Sequence, residues 1–185
     1  MKAVQGTFPG AVVQLWTTDE HRIGLKPILR RVWARRGHRV LALVHHRYQW
    51  MYVVAFVCPQ TGQTHWWLLP TINLQVFEAV LAAFAQAVEA SPERPVVLVL
   101  DRAGWHTSRQ LQVPADVHLV WLPPYSPELQ PAERLWPLTN EPLANRSFTD
   151  LAELETVQAQ RCLELQAQPE RVRAVTCFHW WPLVA

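Results

Sequence analysis

Apolar positions along the chain come first in short strand-like runs, then at helical spacing, then as continuous runs. Residues 11–16 predict a first strand that delivers Asp19 at or just past its end. Pro27 suits the first position of a helix, so residues 28–36 are read as a short helix stopped by Gly37. Residues 40–44 and 48–57 are rich in β-branched and aromatic side chains. Residues 63–69 follow a Pro-Gln-Thr-Gly turn, which makes a hairpin of the last two segments. The period then changes. Leu74, Phe77, Leu81, Phe84 and Val88 recur at helical spacing and predict an amphipathic helix over 73–90, ended by Ser91-Pro92. Residues 95–100 and 117–122 are continuous apolar runs, the pattern of strands covered on both faces, with a short helix over 107–112 between them. Pro131 at a first helical position makes Gln130 the cap and puts Glu133 in the first turn, where the helix dipole favours an acid. Pro137 removes the amide that would bond the Glu133 carbonyl, which keeps this helix very short. Residues 149–167 predict a further helix, with Thr149 and Asp150 as capping candidates and an irregular apolar stripe. The apolar tail FHWWPLVA is read as docking on the core. Strands followed by strand–helix–strand alternation predict an α/β mixed sheet flanked by helices. One domain spans 1–185, its core covering about 11–148.

Composition narrows the class. A chain of 185 residues, half of them hydrophobic, can bury a core and is not disordered. Cys58, Cys162 and Cys177 have neither CxxC spacing nor an even count, and read as reduced thiols of a cytosolic protein. The N-terminus lacks a signal-peptide core. Residues 48–77 contain no Asp, Glu, Lys or Arg, yet Pro59 to Gln63 interrupt them, so they read as two strands and a turn, not a membrane span.

The net charge of +2 hides an uneven distribution. Residues 21–47 hold Arg22, Lys26, Arg30, Arg31, Arg35, Arg36, Arg39 and Arg47 with no acid, while the rest of the chain is acidic. A single-sign patch directly after Asp19 is the footprint of a phosphodiester partner, DNA; the plainer alternative is a solvated face. Adjacent His45 and His46 would point to opposite faces of a strand and read as surface residues.

Asp19, Asp101 and Glu133 sit at two strand ends and one helix start, far apart in sequence. Such positions can meet over one sheet edge. Two carboxylates at about 4 Å repel by roughly 4 kcal/mol at an effective dielectric of 20. A cleft holding three therefore calls for a divalent cation, a shared proton or a basic partner. Hard oxygen ligands favour magnesium or manganese. Glu20 is an alternative to Asp19, and Glu128, outside the helix, an alternative to Glu133.

The segments TTDEHRIGLKP, LVLDRAGWHTS and LPPYSPELQPAERLW resemble, in order and wording, the three catalytic blocks of DDE-type transposases. The resemblance is to the bacterial insertion-sequence branch of the mariner-like superfamily, and it covers about Val12 to Phe148. It implies a ribonuclease-H-like fold with Asp19, Asp101 and Glu133 as the catalytic and metal-holding triad. The implied reaction is hydrolytic nicking of DNA, then attack of the freed 3′-hydroxyl on a target, with two Mg²⁺ or Mn²⁺ ions. Arg102 stands where the family has asparagine and is read as a phosphate contact or a partner of a site carboxylate. His106 falls where the family often has a histidine near site or phosphate; its plainer reading is a structural hydrogen-bonder. Gln130 and Ala132 replace the common Asn and Ile, and Asp101 and Glu133 lie 32 positions apart, slightly fewer than in mariner-like enzymes.

Family members carry helix-turn-helix modules before the catalytic domain. Only about ten residues precede the first strand here, so the expectation is the catalytic half alone, with a separate helix-turn-helix partner supplying specificity. A homodimer is left open. The alternatives are an inactive or domesticated nucleic-acid-binding remnant, and a hydrolase of RNA–DNA hybrids. The expected location is the cytoplasm, at the nucleoid when DNA is bound.

Overall fold

The computed structural model describes residues 8–38, 41 and 47–182. The first strand, β1 (Gln14–Gly24), is followed by β2 (Trp50–Val57) and β3 (Thr64–Leu69). Helix α1 (Leu74–Ala87) leads to β4 (Val96–Leu100) and β5 (Val117–Trp121). A run of 3₁₀ turns, Pro127–Leu129 and Pro131–Leu135, feeds the one-turn helix α2 (Trp136–Thr139). After a further 3₁₀ turn at Glu141–Leu143 come α3 (Leu151–Gln166) and α4 (Pro169–Thr176).

The five strands form one sheet in the order β3-β2-β1-β4-β5. β1 pairs antiparallel with β2 and parallel with β4, and β4 pairs parallel with β5. This is the mixed, ribonuclease-H-like sheet that the sequence leads one to expect, with helices on both faces. Side-chain alternation along β1 sorts the core. On one face Trp16, Phe56, Phe77, Phe84 and Leu98 pack under α1. On the other, Ile23, Val53, Ala55, Leu135, Trp136, Leu154, Leu165 and Val172 pack against the C-terminal helices. Asn73 caps α1, its side-chain oxygen accepting from the Val76 amide. Asp150 does the same for α3 through the Glu153 amide.

β1 is longer than expected. It runs from Gln14 to Gly24, so Asp19 lies inside the strand instead of at its end. The reason is its two different neighbours. Gln14 to Thr17 pair with β4, while Thr17 to Gly24 pair with β2 all the way to Trp50. Charged residues in DEHR look like a loop only if each strand is read alone.

Two expected helices do not form. Residues 28–36 are irregular and largely exposed, with Trp33 fully in solvent and Leu29 and Val32 more than half exposed. Arg31 and Arg35 would repel one turn apart, and beyond Ile28, which packs on the core, Leu29, Val32 and Trp33 find no surface to cover. Residues 107–112 make only a turn, Leu111 N–H to Ser108 C=O. The strand expected over 40–44, Arg39 and the His45-His46 pair lie outside the described residues apart from Leu41.

The irregular stripe of the helix over 149–167 has an explanation. Its buried positions are Leu154, Gln158, Arg161, Cys162 and Leu165, a regular helical face with two polar members. The short α4 has no counterpart among the elements expected from the sequence. It is reached from the β2–β3 turn, where Gly62 has φ +79° and a Cβ there would strike the Pro169 carbonyl. The described part of the tail docks through Trp181, buried with Val13, Leu15, Val97 and Val99, while Trp180 stays exposed. Cys58, Cys162 and Cys177 are free thiols. Among the described residues no helix is long and apolar enough to cross a membrane.

Candidate active site

The parallel pairing of β1 with β4 sets the site. Thr17 is opposite Val99, so two residues further on Asp19 and Asp101 are level with each other where β4 ends. The third acid arrives from a distant part of the chain. Gln130, buried just before the Pro131–Leu135 turn, accepts at Oε1 from the Thr17 hydroxyl and donates from Nε2 to the Thr18 carbonyl (2.8 Å). That amide fastens the start of the turn to β1, one and two residues before Asp19. Glu133 follows in the first turn, with Glu133 N–H bonded to the Gln130 carbonyl (3.2 Å).

The three carboxylates line one cleft of about 420 Å³, together with Arg102 and the wall from Leu122 to Pro127. Tyr125 stands in that wall with its ring fully exposed and φ +56°, a left-handed conformation unusual for a bulky residue. A hollow of similar size at the far end of the sheet, lined by Gln14, Trp16 and His65, holds no carboxylate cluster; its Glu89 is paired with Arg94.

The electrostatics of the acids differ by environment. Asp19 is almost fully buried, and burial raises its pKa from 3.8 to about 7, with Glu133 and Glu20 adding to the rise and the Trp136 indole opposing it. That indole donates from Nε1 to Asp19 Oδ2 at 2.8 Å, and its ring is stacked on His21. Glu133 is also raised, by partial burial and then by the charge of Asp101. Asp101 is half-exposed and lowered, chiefly by its hydrogen bond to His106.

His106 and Glu20 require correction of the sequence reading. From sequence, His106 reads as lying near the site or phosphate, or as a structural hydrogen-bonder; its side chain is wholly buried beside Asp101, so as it stands it offers no exposed phosphate contact. Its Nδ1 lies 2.7 Å from Asp101 Oδ1 and its Nε2 2.9 Å from Glu20 Oε1. Burial alone would lower this histidine; the two carboxylates outweigh it and raise the pKa to about 9. Glu20, the alternative to Asp19, points to the opposite face of β1 and is taken up by His106.

Among the expected DNA contacts, Arg22, Lys26, Arg30, Arg31, Arg35, Arg36 and Arg102 are all exposed. Arg22 covers the Trp50 ring at 5.3 Å. Arg102 lines the cleft and donates to the Leu122 carbonyl, not to a site carboxylate. Arg30 is tied down: its amide bonds Asn145 Oδ1 and its guanidinium the Pro137 carbonyl. The arm that carries the other arginines therefore springs from beside the segment that carries Glu133. Sequence reasoning missed Trp136, Gln130 and Glu20 as site-building residues. Strand alternation would have separated Glu20 from Asp19 had β1 been read to its full length.

Among the described residues no three His, Cys, Asp or Glu side chains converge tightly enough to enclose an ion by themselves. Asp19, Asp101 and Glu133 share the cleft without closing around an ion position.

Comparison with known proteins bears on this arrangement. A family model described as DDE superfamily endonuclease matches residues 14–155. The uncharacterized protein y4pE/y4sA of Sinorhizobium fredii is 33% identical over 132 residues, 71% of this chain and 96% of that protein. Among solved structures, the Mos1 transposase paired-end complex with left transposon end superposes with a TM-score of 0.59 at 16% identity over 94% of this chain. The Mos1 mariner paired end complex with Mn gives 0.60 at 15% over 91%. A simian T-cell lymphotropic virus intasome gives 0.51 at 10% over 96%. The chain spans 59%, 57% and 58% of those chains. At these identities the likeness is one of fold.

Proposed function

This chain belongs to the DDE superfamily endonuclease family, and we propose that it is the catalytic half of a DNA transposase. Asp19, Asp101 and Glu133 are its catalytic and metal-holding residues in this reading. The observation that carries it is the meeting of three acids from three separate segments in one cleft, two of them with raised pKa. Burial and mutual repulsion make those carboxylates costly as free anions and favourable as cation ligands. An open oxygen donor set suits magnesium or manganese, which keep part of their water and share phosphate oxygens. Bound there, a pair of such ions supplies Lewis-acid activation of water or a 3′-hydroxyl and stabilises the departing oxygen. The two Mos1 complexes, one with a transposon end and one with Mn, accord with DNA and divalent metal as partners.

The protein's own residues supply the rest. Trp136 holds Oδ2 of Asp19, whose carboxylate lines the cleft. Arg102 and the arginines of the arm meet the phosphate backbone. This electrostatic contact is independent of sequence, so recognition of element ends calls for a helix-turn-helix DNA-binding half besides the domain described.

With manganese and that DNA-binding half, the chain is expected to nick element ends, and Asp101→Asn to lower nicking by at least about a hundredfold, roughly the loss of a residue essential to the chemistry. Undiminished nicking by this variant, at equal folded protein, overturns the assignment.

A further inference from the structure

We propose that the buried Glu20–His106 pair is a positioning device that occupies one oxygen of Asp101 and presents the other to the cleft. The proposal rests on the reading of Asp101 as an ion-facing carboxylate. Asp101 Oδ1 accepts from His106 Nδ1 at 2.7 Å and from the Ala103 amide at 3.0 Å. Two donors use both lone pairs of that oxygen. Oδ2 has no partner among the described residues, and Asp101 lines the cleft. The carboxylate is thereby held in one rotamer with one free oxygen.

The ring that does this is itself immobile. Phe77 packs against it with centroids 4.4 Å apart, and Trp105 meets it edge-on at 5.9 Å. Glu20 closes the far end by accepting from Nε2 at 2.9 Å. Glu20 is almost buried although it sits next to Asp19, because successive residues of β1 face opposite sides of the sheet. Neighbouring acids thus have different tasks: Asp19 enters the cleft from one face, and Glu20 acts from behind it through His106. An apolar pair would fill the same space at lower desolvation cost. It could not donate to Asp101. Outer partners of this kind fix ligand orientation at metal sites, and their removal typically weakens metal affinity ~10–100-fold.

Asparagine and glutamine separate the two ring nitrogens. His106→Asn keeps a donor near the place of Nδ1 and can still reach Asp101. His106→Gln keeps one near the place of Nε2 and serves only Glu20. Both delete the ring, so reduced packing is common to them. Manganese affinity is read from the free-ion electron paramagnetic resonance signal, in the absence of DNA and of turnover. The Gln variant is expected to bind manganese about tenfold or more weakly, and the Asn variant to stay within about threefold of wild type. Equal shifts in the two, or no shift in either, overturn the positioning role. Should either variant fail to fold, Glu20→Gln, which keeps an acceptor, and Glu20→Met, which only fills space, carry the same comparison. The Met variant alone is expected to weaken binding. A wild-type chain that binds no manganese sinks the reading of Asp101 itself; wild-type binding with indifferent variants sinks only the positioning role.

Discussion

Asp19 and His106 make the metal-free protein sensitive to pH in two successive windows. Asp19 holds its proton more tightly folded than unfolded, so its ionisation destabilises the fold as pH rises from 3.8 to about 7. His106 is raised from 6.5 to about 9, so the stability it contributes is complete below 6.5 and disappears as pH climbs through 9. Each group should therefore lower the melting temperature in chelator across its own window, with the partly buried His21 and His65 acting in the opposite sense below 6.5. Asp19→Asn should flatten the lower one and leave the upper in place. Melts of the two proteins across this range test it; parallel profiles would show that Asp19 is not the group responsible. The three acids are legible from their sequence blocks. Their partners are not, because Trp136 in ERLW looks like core and Glu20 in TTDEH looks like a second candidate ligand. Which atom meets which depends on the register of β1 against β4, and no local pattern encodes that.

The arm after β1 shows how an element can mislead. Pro27 at a first helical position and Gly37 past the end predict a helix over 28–36, but a mostly exposed segment with like charges one turn apart has little to stabilise it. The charge reading stands as a proposal without the helix. Replacing Arg31, Arg35 and Arg36 with Glu should weaken DNA binding and reduce the salt dependence, by about 0.9 in log–log slope for each phosphate no longer neutralised. Arg30 is best left out, because its bonds to Pro137 and Asn145 anchor the arm. An unchanged slope returns the arm to a solvated surface. The strands and α1 are legible because their periodicity agrees with their burial. α3 is half-legible, since Gln158 and Arg161 occupy its buried face. Arg161 donates to the Leu138 carbonyl at 2.9 Å and pairs with Glu141, so the helix holds the segment after Glu133 by polar contacts that a hydrophobicity pattern cannot show.

The molecule as a whole is one sheet with a third, small apolar cluster at the β1–β4 seam. Trp181 from the tail closes that cluster over Val13, Leu15, Val97 and Val99. Trp181→Ala should cost about 3 kcal/mol by leaving a cavity between the two strands that carry the aspartates. Trp181→Phe should cost less than about 1.5 kcal/mol, because the buried indole N–H has no hydrogen-bond partner among the described residues to forfeit. Denaturant unfolding of both variants checks the pair, and equal destabilisation would mean that the cluster is not what the tail stabilises. Docking of the tail follows from its apolarity, whereas α4 does not announce itself, since the seat of Gly62 against Pro169 joins segments far apart in the chain.

Gln130 has a wider consequence. By fastening its turn to the Thr17 hydroxyl and the Thr18 backbone, it gauges the third acid from the strand that bears the first. Glu20 gauges the second acid from the same strand, through the imidazole behind it. β1 is thus the common ruler of the site: each of the three carboxylates is tied to it, one as its own residue and two through a single intervening side chain.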